Sequence, residues 1–175
     1  MSKVKKYIVL LLAVLLTQSF IPGQSNSDQE YTLKAAFLYR FSDYVEWVNN
    51  SDEYFHIAVL GSSPIISQLN LIADNKRAKN KAIHISQHEN INGLEHGNIL
   101  FVSKNCHIPI ESILAKYSES GMLIVTEQEG YCSRGADVNF VLTGDKLRFE
   151  INQRSINKPK FKISSQLLQH ATIID

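Results

Sequence analysis

The sequence predicts an α/β fold, a three-layer α/β/α sandwich with a mainly parallel sheet and a C-terminal β-hairpin. Short apolar runs alternate with helical patterns through most of the chain, which favours parallel strands covered on both faces. Near the end, two alternating runs flank the compact turn Thr143-Gly144-Asp145, which indicates the hairpin. No repeat or composition change divides residues 27–175, so we expect a single domain.

The first 24 residues are interpreted as a secretory signal peptide. Lys3, Lys5 and Lys6 precede an apolar run over residues 7–16, and a more polar stretch follows. This order is typical of a cleaved signal, whereas a membrane-spanning helix needs about 20 apolar residues. We therefore expect export to the periplasm, with a retained anchor as the alternative.

Charge excludes one class of partner. The whole chain has 18 basic and 17 acidic residues, and without residues 1–24 it has 15 basic and 17 acidic ones. A nearly neutral domain without a basic stripe gives no reason to expect nucleic acid as a partner.

An aromatic helix is predicted to open the domain. The run Ser27-Asp28-Gln29-Glu30 fits a capping box. Helical spacing places one apolar stripe behind it, made of Leu33, Phe37, Phe41, Tyr44 and Val48. Tyr39 and Trp47 lie off this stripe. They are either additional core or anchors of a docking surface, where exposed aromatic residues are favoured.

Alternating strands and helices follow this first helix. Apolar runs predict parallel strands over residues 55–60, 82–85, 98–102 and 122–125. Helices are expected from Ser62 to about Ala73 and from Pro109 to Ser118. The hairpin strands cover residues 138–142 and 147–151, and a closing helix is expected over residues 163–174.

The motifs do not support catalysis. The segment Gly61-Ser62-Ser63-Pro64 has one glycine where a dinucleotide-binding loop needs three, and neither an HExxH nor a GxSxG motif occurs. We therefore predict no enzyme, no cofactor and no metal site. A small-molecule site at the carboxyl ends of the strands, near Ser62, Ser63 and Arg134, is the alternative function.

The two cysteines follow two successive predicted strands. Residues just beyond neighbouring parallel strands emerge at the same edge of a sheet, and an exported protein meets an oxidising compartment. We therefore predict a disulfide between Cys106 and Cys132, with free thiols as the alternative.

One predicted hairpin strand carries a polar face. Arg148, Glu150 and Asn152 are two residues apart, so their side chains share one side of the strand. They form either a partner-binding surface or a solvated edge strand whose charges prevent edge-to-edge pairing.

With these residues in place, the chain resembles the YfiR-like family of periplasmic regulatory proteins. The opening helix resembles that family over residues 34–47. Further likeness lies in Val59-Leu60-Gly61 with Pro64, and in the segments 99–103, 135–141, 148–152 and 163–168. The resemblance covers nearly the whole mature chain, and its parts occur in the family's order.

The resemblance implies regulation by binding. Members of the family hold an inner-membrane diguanylate cyclase inactive, and release of that restraint raises cyclic di-GMP and promotes biofilm formation. A sensor kinase is the other partner we expect for this chain. The resemblance also implies a dimeric α/β/α sandwich in which disulfides matter, although two cysteines allow one bridge at most.

Overall fold

An eight-stranded mixed sheet forms the centre of the fold. The computed structural model describes residues 26–48, 51–94, 96–156, 158–159 and 161–175, so the predicted signal peptide lies outside the described residues. The helices are α1 Asn26–Tyr44, α2 Ile65–Asn75, α3 Ile110–Tyr117 and α4 Ser165–Leu168. The strands are β1 Val45–Trp47, β2 Tyr54–Leu60, β3 Arg77–Ala78, β4 Lys81–His88, β5 Ile99–Val102, β6 Leu123–Thr126, β7 Val138–Thr143, β8 Lys146–Asn152, β9 Phe161–Ile163 and β10 Thr172–Ile174.

The strand order of the sheet is β10-β8-β7-β6-β5-β2-β4-β3. Strands β4, β2, β5, β6 and β7 run parallel to their neighbours in that series, and β8 returns antiparallel to β7. The two-residue loop Gly144-Asp145 joins β7 to β8, with a positive φ of 59° at the glycine. The predicted mainly parallel sheet and its C-terminal hairpin are therefore confirmed.

The two faces of the sheet bury different helices. Strand residues such as Phe55 and Phe101 pack with α1 and α2 on one face, whereas Leu60 and Leu100 pack with α3 on the other. Successive side chains of a strand point to opposite faces, so a strand buried on both sides is apolar throughout. That is why β2, β5 and β6 are recognisable in the sequence as continuous apolar runs.

Helix α1 buries only part of the predicted stripe, since Phe41 is in the core and Phe37 and Tyr44 pack against it. Leu33 and Val48 are exposed, and the helix ends at Tyr44, before Val48. The buried face comprises Tyr31, Lys34, Ala35, Leu38, Phe41 and Ser42. Because Lys34 lies on this buried face, the buried positions do not form an uninterrupted apolar pattern in the sequence. The predicted capping box is also wrong, because Ser27 lies inside α1.

The predicted closing helix is instead three short elements. Strand β9 pairs with β1, α4 has four residues, and β10 pairs parallel with β8. The Ser164 side chain accepts from the Leu167 amide and caps α4, and the run Thr172-Ile173-Ile174 has the branched side chains that favour a strand. Because β10 lies outside β8, the hairpin does not form the edge of the sheet.

Gly61 lets the chain turn sharply after β2. Its φ is 86°, and a Cβ atom there would lie 3.0 Å from the Cys106 backbone. We expect Gly61→Ala to lower the free energy of unfolding by about 2–4 kcal/mol, because left-handed strain and a backbone clash add. Urea denaturation measures this loss.

Gly130→Ala is the matched control for Gly61→Ala. Gly130 has a similar φ of 77°, but a Cβ atom there would have no described atom within 4 Å beyond its own chain neighbours. This variant isolates the conformational strain, about 1–2 kcal/mol. Equal losses in the two variants would contradict the clash with Cys106.

Candidate partner-binding site

A groove runs between α1 and the β7–β8 hairpin. Leu33 of α1 and Leu142 of β7 are exposed at its walls, and together with Leu147 they line a cavity of about 490 Å³. A second cavity of about 690 Å³ shares Leu147 and extends to Arg148 and Glu150. We call these five residues the hairpin groove. Arg148 and Glu150 alternate with Leu147 and Phe149 along β8, so their side chains lie on the opposite face of the hairpin from Leu142. Exposed leucines on one face and charged side chains on the other make the hairpin a candidate protein-binding element.

A buried ion cluster lies beside the groove. The Lys34 ammonium pairs with Glu30 and lies 2.5 Å from the Glu127 carboxylate. The Lys34 side chain is 5 % exposed and that of Glu127 is fully buried. Glu127 also accepts a hydrogen bond from the Lys104 amide at 3.0 Å. The cluster ties α1 to the segment that leaves β6, which fixes one wall of the groove.

Tyr31 covers this ion cluster from α1. The Lys34 ammonium lies 4.8 Å from the centroid of the Tyr31 ring, in range of a cation–π contact. Burial raises the pKa of the Tyr31 hydroxyl, and the nearby Glu127 carboxylate raises it further. The phenol therefore stays neutral around pH 7 and contributes packing rather than charge.

A hydrogen-bond chain runs across the sheet on the face of the hairpin that is turned away from α1. The Thr126 hydroxyl donates to the Asn139 side-chain oxygen at 2.6 Å, and the Asn139 amide donates to Glu150 at 3.3 Å. The three residues lie on β6, β7 and β8 in turn. Glu150 is therefore held in place, whereas the neighbouring Arg148 is exposed.

The other predicted partner-binding residues lie elsewhere. Asn152 is buried, where its amide donates to the Cys132 carbonyl at 2.8 Å and its oxygen accepts from the Arg154 amide, so it is not available at the surface. Tyr39 and Trp47 are half-buried against the main core. Trp47 packs edge-on against Phe55 at 5.3 Å. Of the predicted contact residues, the structure brings only Arg148 and Glu150 together at an open surface.

The residues of the predicted small-molecule site each make contacts of their own. Ser62 accepts hydrogen bonds from Ser103 and Asn105 through its carbonyl, and the buried Ser63 hydroxyl accepts from the Ile65 amide at the start of α2. Arg134 pairs with Glu111 of α3 at 2.5 Å. The serines thus organise the β2–α2 turn, while Arg134 belongs to a different contact.

The structure also lacks the predicted disulfide, since Cys106 and Cys132 are free thiols. Cys106 packs beside Gly61 at the end of β2, whereas the Cys132 carbonyl contacts Asn152 of β8. Three strands separate β2 from β8, which amounts to roughly 19 Å at the usual strand spacing. A disulfide needs Cα atoms within about 7 Å.

Both thiols are poorly reactive in this conformation. Burial raises the pKa of Cys106, and it raises the pKa of Cys132 to about 12. The thiolate is the reactive form of cysteine, so neither side chain has nucleophilic character near pH 7.

Neither a metal-binding cluster nor a membrane-spanning helix occurs among the described residues. These residues contain no group of three or more His, Cys, Asp or Glu side chains placed to hold a metal ion. Within the same residues, no helix is long and apolar enough to cross a membrane.

The family model described as YfiR/HmsC-like matches residues 31–172. The chain belongs to this YfiR/HmsC-like family. The match includes the whole hairpin and most of α1, so the groove is formed by segments of the family's own domain. YfiR/HmsC-like membership indicates a regulator of cyclic di-GMP signalling rather than an enzyme. A search of curated proteins finds no significant match.

Sequence reasoning missed the ion cluster and the two exposed leucines of the groove, Leu33 and Leu142, in this YfiR/HmsC-like chain. One feature of the sequence pointed to Glu127. It directly follows the apolar strand β6, at the edge of the sheet where α/β proteins place functional groups. Leu33 was assigned to the core by its spacing. Its exposure follows from the rotation of α1, which no local pattern shows.

Proposed function

We propose that this protein is a periplasmic regulator that binds and restrains the extracytoplasmic part of a membrane diguanylate cyclase or sensor kinase through the hairpin groove. The observation that supports this site is the pair of exposed leucines, Leu33 and Leu142, in one cavity, with Arg148 and Glu150 in the second cavity of the same hairpin. Family membership supports the signalling role.

The chemistry of the groove fits a protein partner. Leu142 is 57 % and Leu33 is 46 % exposed, and covering both would remove apolar surface from water. Arg148 and Glu150, on the opposite face of the same hairpin, provide charges of both signs that can set the register of a partner that wraps around it. The bound partner is restrained only if the groove binds its inactive state more tightly than its active state.

Leu142→Glu tests this site. In cells that lack the protein, cyclic di-GMP should rise, and the wild-type gene should lower it again. We expect the Leu142→Glu gene to leave cyclic di-GMP high, because burying the glutamate carboxylate against a partner opposes binding. Mass spectrometry of nucleotide extracts measures the pool, and a pull-down of the tagged protein from envelope extract measures capture of the cyclase or kinase.

Leu71→Glu is the matched control, since Leu71 of α2 is 60 % exposed but lies outside the groove. Leu71→Glu should lower cyclic di-GMP as the wild type does.

Glu150→Arg should fail to lower cyclic di-GMP, while its melting temperature stays close to that of the wild type. The groove would be contradicted if Leu142→Glu lowered cyclic di-GMP as fully as the wild type. It would also be contradicted if Glu150→Arg lost stability to the same extent as it lost control of cyclic di-GMP.

A further inference from the structure

Three histidines meet on the face of the sheet that α3 leaves open. His56 of β2 pairs directly with His84 of β4 in the strand register, and their ring centroids are 4.8 Å apart. His88 lies two residues beyond Ser86 on the same side of β4. We call His56, His84, His88 and Ser86 the histidine cluster. His84 is exposed, and the other three are half-buried.

One serine hydroxyl joins two of these rings. The Ser86 Oγ atom lies 2.7 Å from Nε2 of His56 and 2.8 Å from Nε2 of His88. The other nitrogen of His56, Nδ1, lies 2.9 Å from the His96 carbonyl oxygen. Since a carbonyl only accepts, Nδ1 must carry a proton.

The tautomers follow from this constraint. Neutral His56 with its proton on Nδ1 has an acceptor at Nε2, so the Ser86 hydroxyl donates to it. Ser86 can then accept a hydrogen bond from His88, which places the proton of His88 on Nε2. Every hydrogen of the network is assigned while His56 is neutral.

A second proton on His56 disturbs this arrangement. It would occupy Nε2, so that two ring N–H groups would point at Ser86 and its hydroxyl hydrogen would need a new acceptor. It would also place a positive charge against the rings of His84 and His88. Both effects act across the pairing of β2 with β4.

We propose that the histidine cluster is a pH-responsive seam, which holds β4 to β2 at neutral pH and loosens their pairing in acid. Strand β4 is open to this effect because only the two-residue strand β3 lies outside it. The seam is separate from the hairpin groove, which lies on the other side of β5 and β6 in the sheet.

The groups around His56 decide in which direction its pKa shifts. Burial lowers the pKa of His56 from 6.5, the His96 carbonyl and Asp52 oppose that shift, and His84 and His88 add to it. The loop after β4 contributes Glu89 and His96, and Lys116 of α3 binds that loop at the Ile91 carbonyl. The neighbouring segments before β5 and β6 supply Asn98 and Met122, which do not titrate.

A lowered pKa means that the folded protein binds fewer protons than the unfolded one. The stabilising contribution of neutral His56 is therefore complete above pH 6.5 and is lost as the pH falls from there towards the lowered pKa. If β4 opening frees His56, the open population at pH 5.5 rises by up to about tenfold over that at pH 7.5.

Hydrogen exchange of the mature chain at pH 7.5 and 5.5 tests the proposal. After correction for the intrinsic rate, amides of β4 should exchange up to about tenfold faster at pH 5.5. His56→Gln should lose this pH dependence. His107→Gln, which changes an exposed histidine after β5, should retain it. Unchanged protection of β4 in the wild type would overturn the proposal.

Nitrogen chemical shifts of the wild-type imidazoles give a test that needs no variant. We expect the Nδ1-protonated tautomer of His56 at pH 7.5, and a titration midpoint below that of the histidines in the urea-unfolded chain. An Nε2-protonated tautomer, or the same midpoint in both states, would contradict the network and with it the seam.

Discussion

Replacing Lys34 with methionine is expected to lower the free energy of unfolding by about 3–5 kcal/mol. The variant keeps an aliphatic side chain on the buried face of α1 but removes the positive charge. Glu127, whose side chain is fully buried, is then left as an uncompensated anion. Urea denaturation at pH 7.5 measures the loss.

Two further variants separate burial from charge for Lys34. The double variant Lys34→Met with Glu127→Leu removes both charges, and it should regain most of the stability because no buried ion is left unpaired. Arg40→Met breaks the exposed pair of Arg40 with Asp43 at 3.1 Å and should cost about 0–1 kcal/mol. Equal losses for Lys34→Met and Arg40→Met would show that burial of the cluster does not matter.

Asp137→Ala is expected to cost about 3–5 kcal/mol as well. The Asp137 carboxylate is fully buried, and it joins three segments. It lies 2.6 Å from the Lys158 ammonium, accepts from the Ser155 hydroxyl at 2.6 Å and accepts from the Ile124 amide at 2.8 Å. The variant leaves the amide of β6 buried without a partner.

Asp145→Ala is the matched control for Asp137→Ala, because Asp145 is exposed in the hairpin turn. It should change the free energy of unfolding by about 0.5 kcal/mol or less. Asp137→Asn should fall between the two, since it keeps an acceptor for the Ile124 amide but loses the charge opposite Lys158. A loss below about 1 kcal/mol in Asp137→Ala would contradict the role assigned to this carboxylate.

Much of the fold was predictable because its signals are local. Strands β2, β5 and β6 are buried on both faces and are therefore continuous apolar runs in the sequence. The hairpin has a glycine at the position where the turn needs a positive φ. Ser164 caps α4, a position that serine favours, although that helix is only four residues long.

The candidate site was predictable only in part. The two-residue spacing of Arg148 and Glu150 placed them on one side of β8, and in the structure both line one cavity. The same spacing included Asn152, which the structure buries. Period-two patterns show which side chains share a face of a strand, but they do not show which part of that face is covered.

By itself, the sequence determined the fold class, the hairpin and the family, because each depends on runs of neighbouring residues. Only the tertiary structure decided which face of α1 is buried, since Lys34 meets Glu127 across 93 positions and its charge is neutralised there. It also decided that Ser86 links two histidines and that the cysteines stay apart. These contacts depend on strand order, and strand order is set by how the whole chain buries its apolar surface.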